Sequence, residues 1–261
     1  MAQDTPLVDE CLKGRAVLVT GAGAGIGRAA ALAYARAGAE VVLLDRDVAP
    51  LEAVYDAIVA AGGPTPAAHP LDLARATAAD YAALAHALRD QIGHLDGLLH
   101  NAAVLELLTP LAFHPPETWE HTLRVNLTAP FLLIQACLPL LEAAPDGAVV
   151  FTSDACAVQP KGYWGAYAVA KAGADNLALM WAQELGNTAV RIHVLDPGPV
   201  RTEMRLRTHP GAPSASWPPP EALMPVYVGL MGPGGRAYRG RRVVAAQWKE
   251  GEIGMPGAAT G

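Results

Sequence analysis

The chain has 261 residues, of which 52% are hydrophobic and 17% charged, and its formal net charge is −6. That balance excludes an extended disordered chain, and the negative charge argues against nucleic acid or an anionic membrane as the principal partner. The length admits one large α/β domain or two small ones.

Taken in order, apolar β-rich runs alternate with runs of helical period. This pattern predicts a parallel sheet wound on both faces. Ala16 to Thr20 reads as a first strand, followed by the loop TGAGAGIG and a helix from Ile26 to Ala37. Glu40 to Leu44 is a second buried strand ending at Asp45, and Leu51 to Ala61 a helix broken by GGPTP. Ala67 to Leu71 gives a third strand ending at Asp72. Thr77 to Ile92 is a helix with Tyr81, Leu84, Ala85 and Leu88 on one face. Leu95 to Leu99 is a fourth strand, running into His100-Asn101-Ala102-Ala103. Pro116 to Ala143 reads as a helical region, Ala148 to Phe151 as a fifth strand, Gly165 to Leu185 as a long helix and Val190 to Leu195 as a sixth strand. Arg205 to Pro220 is rich in proline and polar residues and reads as a long loop in the position of a lid. Glu221 to Met231 is a further helix and Arg242 to Ala246 a last strand. No repeat or linker interrupts the pattern, so the expectation is a single Rossmann-like α/β domain over residues 12–248. It has about seven strands, terminal extensions at 1–11 and 249–261, and a poorly ordered tail from Glu250.

Several features bear on location. MAQDTPLVDE has no basic stretch followed by an apolar core, so no secretory signal is expected. The most apolar stretch, Leu127 to Leu141, is interrupted by Pro130, Gln135 and Pro139. It falls short of about 18 residues, so no membrane span is expected. Cys11, Cys137 and Cys156 are odd in number and widely spaced, without a metal or disulfide pattern. A reduced, cytoplasmic protein without a metal is the expectation.

Two motifs carry chemistry. Gly21, Gly25 and Gly27 lie between a buried strand and an alanine-rich helix. Phosphate binding needs that context: free amides at a helix N-terminus, with no side chain in the way. Asp45 follows Gly21 by 24 residues, where a carboxylate would bind ribose hydroxyls and repel the 2′-phosphate of NADP. Arg46 is either a phosphate ligand or a solvated partner of Asp45 or Asp47. NAD is therefore favoured over NADP. The second motif, YAVAK, sets Tyr167 and Lys171 one helical turn apart on one face. A phenol ionises near pH 10, and lowering that by about three units takes roughly 4 kcal/mol, within reach of a close ammonium and a cationic nicotinamide.

These residues closely resemble the short-chain dehydrogenase/reductase family from about Leu12 to Ala246, and most closely a little-characterised bacterial branch of it, judged by LDGLLHNA, WGAY and MPVYVGLMG. The resemblance implies that Thr20, Gly21, Gly25, Ile26 and Gly27 form the cofactor loop, and that Asp72 and Leu73 lie against adenine. Asn101, Ala102 and Ala103 represent the family's NNAG segment, with Ala103 in place of its last glycine. Asn126 matches the asparagine that supports a relay water near Lys171. Pro197, Gly198, Val200 and Thr202 match the segment that seats the nicotinamide carboxamide. It further implies alcohol–carbonyl redox chemistry on a small-molecule substrate and a homodimer or homotetramer packed through the helices of Asn126 and Tyr167. Trp164, Met204 and Trp217 are the expected apolar lining of the substrate site.

One position departs from the family. Its catalytic serine stands 13 residues before the tyrosine, and here that position is Asp154, with Ser153 one residue earlier. In an extended segment a shift of one residue turns the side chain to the other face. An ionised carboxylate about 4 Å from the tyrosine oxygen, at an effective dielectric near 20, would cost the phenolate roughly 4 kcal/mol. Asp154 therefore impairs the usual relay, donates a hydrogen bond in its protonated form as the serine would, or caps a backbone amide instead. The rival functional reading is a dinucleotide-binding protein with weak or no redox activity. An epimerase or dehydratase fits less well, since the chain lacks the substrate domain such relatives carry.

Overall fold

The computed structural model describes residues 10–248; the expected disorder of the tail concerns residues outside that range. Seven strands form one parallel sheet in the order β3-β2-β1-β4-β5-β6-β7. They are β1 (Ala16–Thr20), β2 (Glu40–Asp45), β3 (Ala67–Pro70), β4 (Gly97–His100), β5 (Ala148–Thr152), β6 (Arg191–Asp196) and β7 (Arg242–Val244). Buried on both faces, β1 (AVLVT) carries no polar alternation, as a central parallel strand requires.

Side chains along each strand divide between two cores. Val17, Val19 and Leu99 face α1 (Gly25–Arg36), α2 (Val48–Ala60) and α8 (Met224–Met231). Leu18, Leu98 and Val149 face α3 (Ala78–Gln91), α5 (Ala129–Ala143) and α6 (Gly165–Glu184). The chain winds outward from β1 in one direction and from β4 in the other. That reversal opens a crevice at the strands' C-terminal ends, where ligands bind in sheets of this kind.

Three segments differ from the sequence expectation. Pro116 to Ala143 is helical as expected, built from α4 (Pro116–Leu123), a π turn (Arg124–Thr128) and α5, but its prolines do not shorten the apolar span as the length estimate assumed. Pro130 falls at the start of α5, just after the π turn, where the hydrogen-bond ladder is already loosened. This run is long and apolar enough to cross a membrane, contrary to the expectation, but half of its apolar window is buried inside the molecule, as in a core helix. The second difference is that the lid-like loop begins as a helix, α7 (Glu203–Thr208). Thr202 caps it by accepting from the Arg205 amide at 3.3 Å. The third lies between Pro220 and Leu223, which form a 3-10 turn that only then continues as α8.

Candidate active site

At the crevice the strand ends surround a cavity of about 610 Å³ that runs from Asp45 to Tyr167. Its floor is the glycine loop. Gly21 and Gly25 have φ of +68° and +54°, values that L side chains rarely adopt. A Cβ on Gly27 would collide with the Gly21 carbonyl, so this residue, although it is not on the cavity wall, lets strand and helix close up. Helix α1 has no side-chain cap and no acidic residue in its first turn, which leaves its leading amides as donors facing the cavity. That donor set fits a pyrophosphate. Thr20 pins the crevice open: its Oγ1 donates to the Leu99 carbonyl and accepts from the amides of Asn101 and Ala102 at 3.0 and 3.1 Å.

Asp45, Arg46, Asp72 and Leu73 lie together at one end of the cavity. The Asp45 carboxylate also steadies the loop beneath it, accepting from the Gly23 amide at 3.0 Å and the Arg46 amide at 2.8 Å. Arg46 projects outward and pairs with Asp47 at 3.2 Å. Asp72 accepts from the Ala74 amide and faces Arg75 at 3.6 Å. Along the middle of the wall come Asn101, Ala102 and Ala103, and opposite them Pro197, Gly198, Val200 and Thr202.

Tyr167 and Lys171 close the other end. Both are buried on α6 and both line the cavity, with the Lys171 ammonium 5.7 Å from the Tyr167 ring centre. Lys171 Nζ donates to the Thr152 carbonyl at 2.7 Å. The expected lowering of the phenol pKa is not found without a cofactor: burial and then the charge of Asp154 push Tyr167 well above the usual tyrosine value, and only Arg205 pulls appreciably the other way. Burial lowers Lys171, while Asp154 and Asp175 hold it up. Asn126 sits in the π turn with its amide group locked to Val104. It accepts from that residue's N–H and donates to its carbonyl, both at 2.8 Å.

Asp154 does two of the things foreseen for it. Its Oδ1 accepts from the Cys156 amide at 2.8 Å, capping a 3-10 turn (Ala155–Ala157), and the residue still lines the cavity with its charge beside Tyr167. Ser153 also lines the cavity, with its Oγ donating to Asp175 at 2.7 Å in the interior. Arg242 on β7 completes this layer. It reaches Asp175 at 3.2 Å, Asp196 at 2.9 Å and the Asp154 carbonyl at 3.1 Å, while Asp196 also accepts from the Gly198 amide.

Of the expected substrate lining, Trp164 and Met204 are on the wall. Trp217 is not. It stands behind Arg205, its ring centre 5.1 Å from the guanidinium carbon. The sequence reading missed Arg205, Arg207 and Thr208, which α7 brings to the cavity. A threonine followed by an acidic residue, Thr202-Glu203, with Arg207 four residues after Glu203, is a helix-start signal that the neighbouring prolines obscured. Among the described residues there is no cluster of three side chains able to hold a metal ion.

The comparisons with known proteins agree with this geometry. The family model "short chain dehydrogenase" matches residues 15–211. The chain is 37% identical to the uncharacterized oxidoreductase YciK of Escherichia coli K12 over 231 residues, 88% of this chain and 91% of that protein. Among solved structures, a Pseudomonas syringae chain described as a short chain dehydrogenase superposes with a TM-score of 0.87 at 44% identity, covering 90% of this chain and 96% of its own. A Shigella flexneri short chain dehydrogenase complexed with NADP gives 0.89 at 36% identity, covering 91% and 99%. The chain belongs to the short chain dehydrogenase family.

Proposed function

We propose that this oxidoreductase interconverts a secondary alcohol and a carbonyl compound, with Tyr167 as proton donor and acceptor and NAD as the favoured cofactor. The observation that carries the reading is that Tyr167 and Lys171 face the same cavity as the uncapped N-terminus of α1. A bound nicotinamide would give or take the hydride. Tyr167 exchanges a proton with the substrate oxygen. Lys171, fixed by the Thr152 carbonyl, binds the ribose and lends positive charge to the phenol. Asn126, locked to Val104, supports the proton path beside Lys171. Asp45 supports NAD, because its carboxylate lies where a 2′-phosphate would be repelled. The rival is NADP, with which the similar Shigella flexneri chain was solved. Fluorescence titration should show NADH binding at least roughly tenfold tighter than NADPH, and Asp45→Ser should narrow that gap. Preference for NADPH in the wild type would overturn the assignment.

A second reading, a dinucleotide-binding protein with little redox activity, is favoured by Asp154 beside Tyr167. A panel of carbonyl compounds and alcohols with either cofactor separates the two. Binding without turnover across the panel favours the second reading, and gain of turnover in Asp154→Ser would name the cause. Assembly through α5 and α6 is part of the proposal, supported by the exposed apolar Phe131, Val169 and Met180 on those helices. Light scattering showing a monomer at micromolar concentration would remove it.

A further inference from the structure

Most part-buried arginines among the described residues find acceptors: Arg124 and Arg239 donate to backbone carbonyls, and three others hold carboxylates, although Arg15 keeps an unmatched Nε. Arg191 bonds Asp146, Arg15 reaches the same carboxylate, and Arg242 bridges Asp175 and Asp196. Arg205 lines the cavity beside Tyr167, yet among the described residues its side chain has no ion pair and no hydrogen bond, and its Nε is wholly buried without a partner. A desolvated guanidinium donor left unmatched is costly unless a ligand supplies the acceptor. Its neighbours do not supply one: Glu203 is turned to Arg207 at 3.8 Å and Glu106 to His121 at 3.0 Å.

The ring system around Arg205 fixes the setting further. From Tyr167 the rings run to Trp164 at 5.7 Å, to His209 at 5.9 Å and to Trp217 at 6.1 Å between centres. Arg205 lies over Trp217, one end of that strip, so one face of its guanidinium is covered and the planar edge is left to bind.

We propose that Arg205 is the anion-recognising residue of the substrate pocket, and that the substrates are carboxylate-bearing oxo or hydroxy compounds with a flat apolar body. The carboxylate accepts from the guanidinium edge, the body lies along Trp164, and the reacting oxygen reaches Tyr167. Charge favours a monoanion over a phosphate dianion, since one free guanidinium and the Asp154 carboxylate share this end of the cavity. Only the place of the reacting oxygen rests on the redox reading above; the anion site does not.

The test uses the full chain saturated with NADH. Benzoylformate and 3-benzoylpropionate are titrated against their methyl esters by calorimetry, in wild type, Arg205→Gln and Arg205→Lys, and turnover is followed on the same four compounds. The acids should bind more tightly than their esters, and Arg205→Gln should weaken the acids by roughly 30-fold or more while leaving the esters unchanged. Arg205→Lys should keep part of the preference, because it retains the charge and loses the fork. Equal binding of acids and esters by the wild type would overturn the proposal. So would equal loss of both in Arg205→Gln, which would make Arg205 a distant counter-charge to Asp154. Weaker NADH binding in Arg205→Gln with no change in acid preference would assign it to the cofactor instead. Acid-selective binding without turnover would keep the anion site and sink the redox reading; turnover of the esters alone would do the reverse.

Discussion

The two edges of the sheet handle charge in opposite ways. At the N-terminal edge, Asp146 takes Arg191 at 2.8 Å, Arg236 at 3.3 Å and Arg15 at 3.4 Å. Arg191 also donates to the carbonyls of Leu230 and Gly232 and to His193 Nε2, and His193 Nδ1 donates to the Tyr238 carbonyl. At the C-terminal edge Arg242, Asp154 and Lys171 have partners, but among the described residues none is recorded for the leading amides of α1, the side chain of Arg205 or the hydroxyl of Tyr167. The same parallel sheet thus has one edge where charged groups largely hold one another and one where part of the polar set is left for a ligand. The first edge should govern stability and the second activity.

The largest effect that would sharpen this contrast is at Tyr167. Tyr167→Phe should lower kcat by about 10³-fold or more, since proton transfer contributes on the order of 10²–10⁴ and the phenol also positions the substrate. Its midpoint in urea should stay close to wild type, and a large loss of stability there would break the division. Next comes Asp146→Ala, which strands arginines in the interior and should cost roughly 3 kcal/mol of unfolding free energy. The kcat/KM of the folded protein should be unchanged; a parallel loss of activity would show that the edges communicate.

A smaller effect is expected from Asp154→Ser. Removing the negative charge beside Tyr167 favours the phenolate, so the acid limb of alcohol oxidation, where activity rises as the phenol ionises, should move to lower pH. Turnover near pH 8 should rise roughly tenfold on the electrostatic scale involved. An unchanged pH profile would show that the carboxylate is screened from the phenol. The smallest effect concerns acid. Burial raises the Asp146 carboxyl, but Arg191, Arg236 and Arg15 outweigh burial and leave it below the usual carboxylate range. Its contribution to stability is therefore complete above a pH of about 4 and is lost as pH falls through the lower folded value. In urea melts at stepped pH, Asp146→Asn should lose stability less steeply than wild type below about pH 4.

How far the sequence carried depended on whether a feature is local. Strands β1, β2 and β5 were legible because their apolar runs are uninterrupted, and the glycine cradle because its residues are contiguous. Tyr167 and Lys171 were found for the same reason, by a four-residue spacing. The rest depends on distant neighbours. The direction of Ser153 follows from Asp175, 22 residues on. The pairing of Arg242 with Asp175 and Asp196 has no local trace. Arg205 became visible only when α7 carried it to the cavity. The helical run from Pro116 to Ala143 was legible, whereas the π turn just before Pro130 left no local trace.

Arg242 also sets an order of events in the life of the chain. It belongs to the last strand, close to the end of the described residues, yet it neutralises carboxylates on α6 and at the end of β6, beside the tyrosine and the turn at Gly198. While the protein is being synthesised from its N-terminus, those carboxylates lack their counter-charge until residue 242 has emerged. The cradle of α1 can form early from β1, β2 and β4, whereas the acid–base end must wait for β7. A nascent chain stalled before β7 would hold the pieces of a nucleotide cradle beside an unfinished acid–base end.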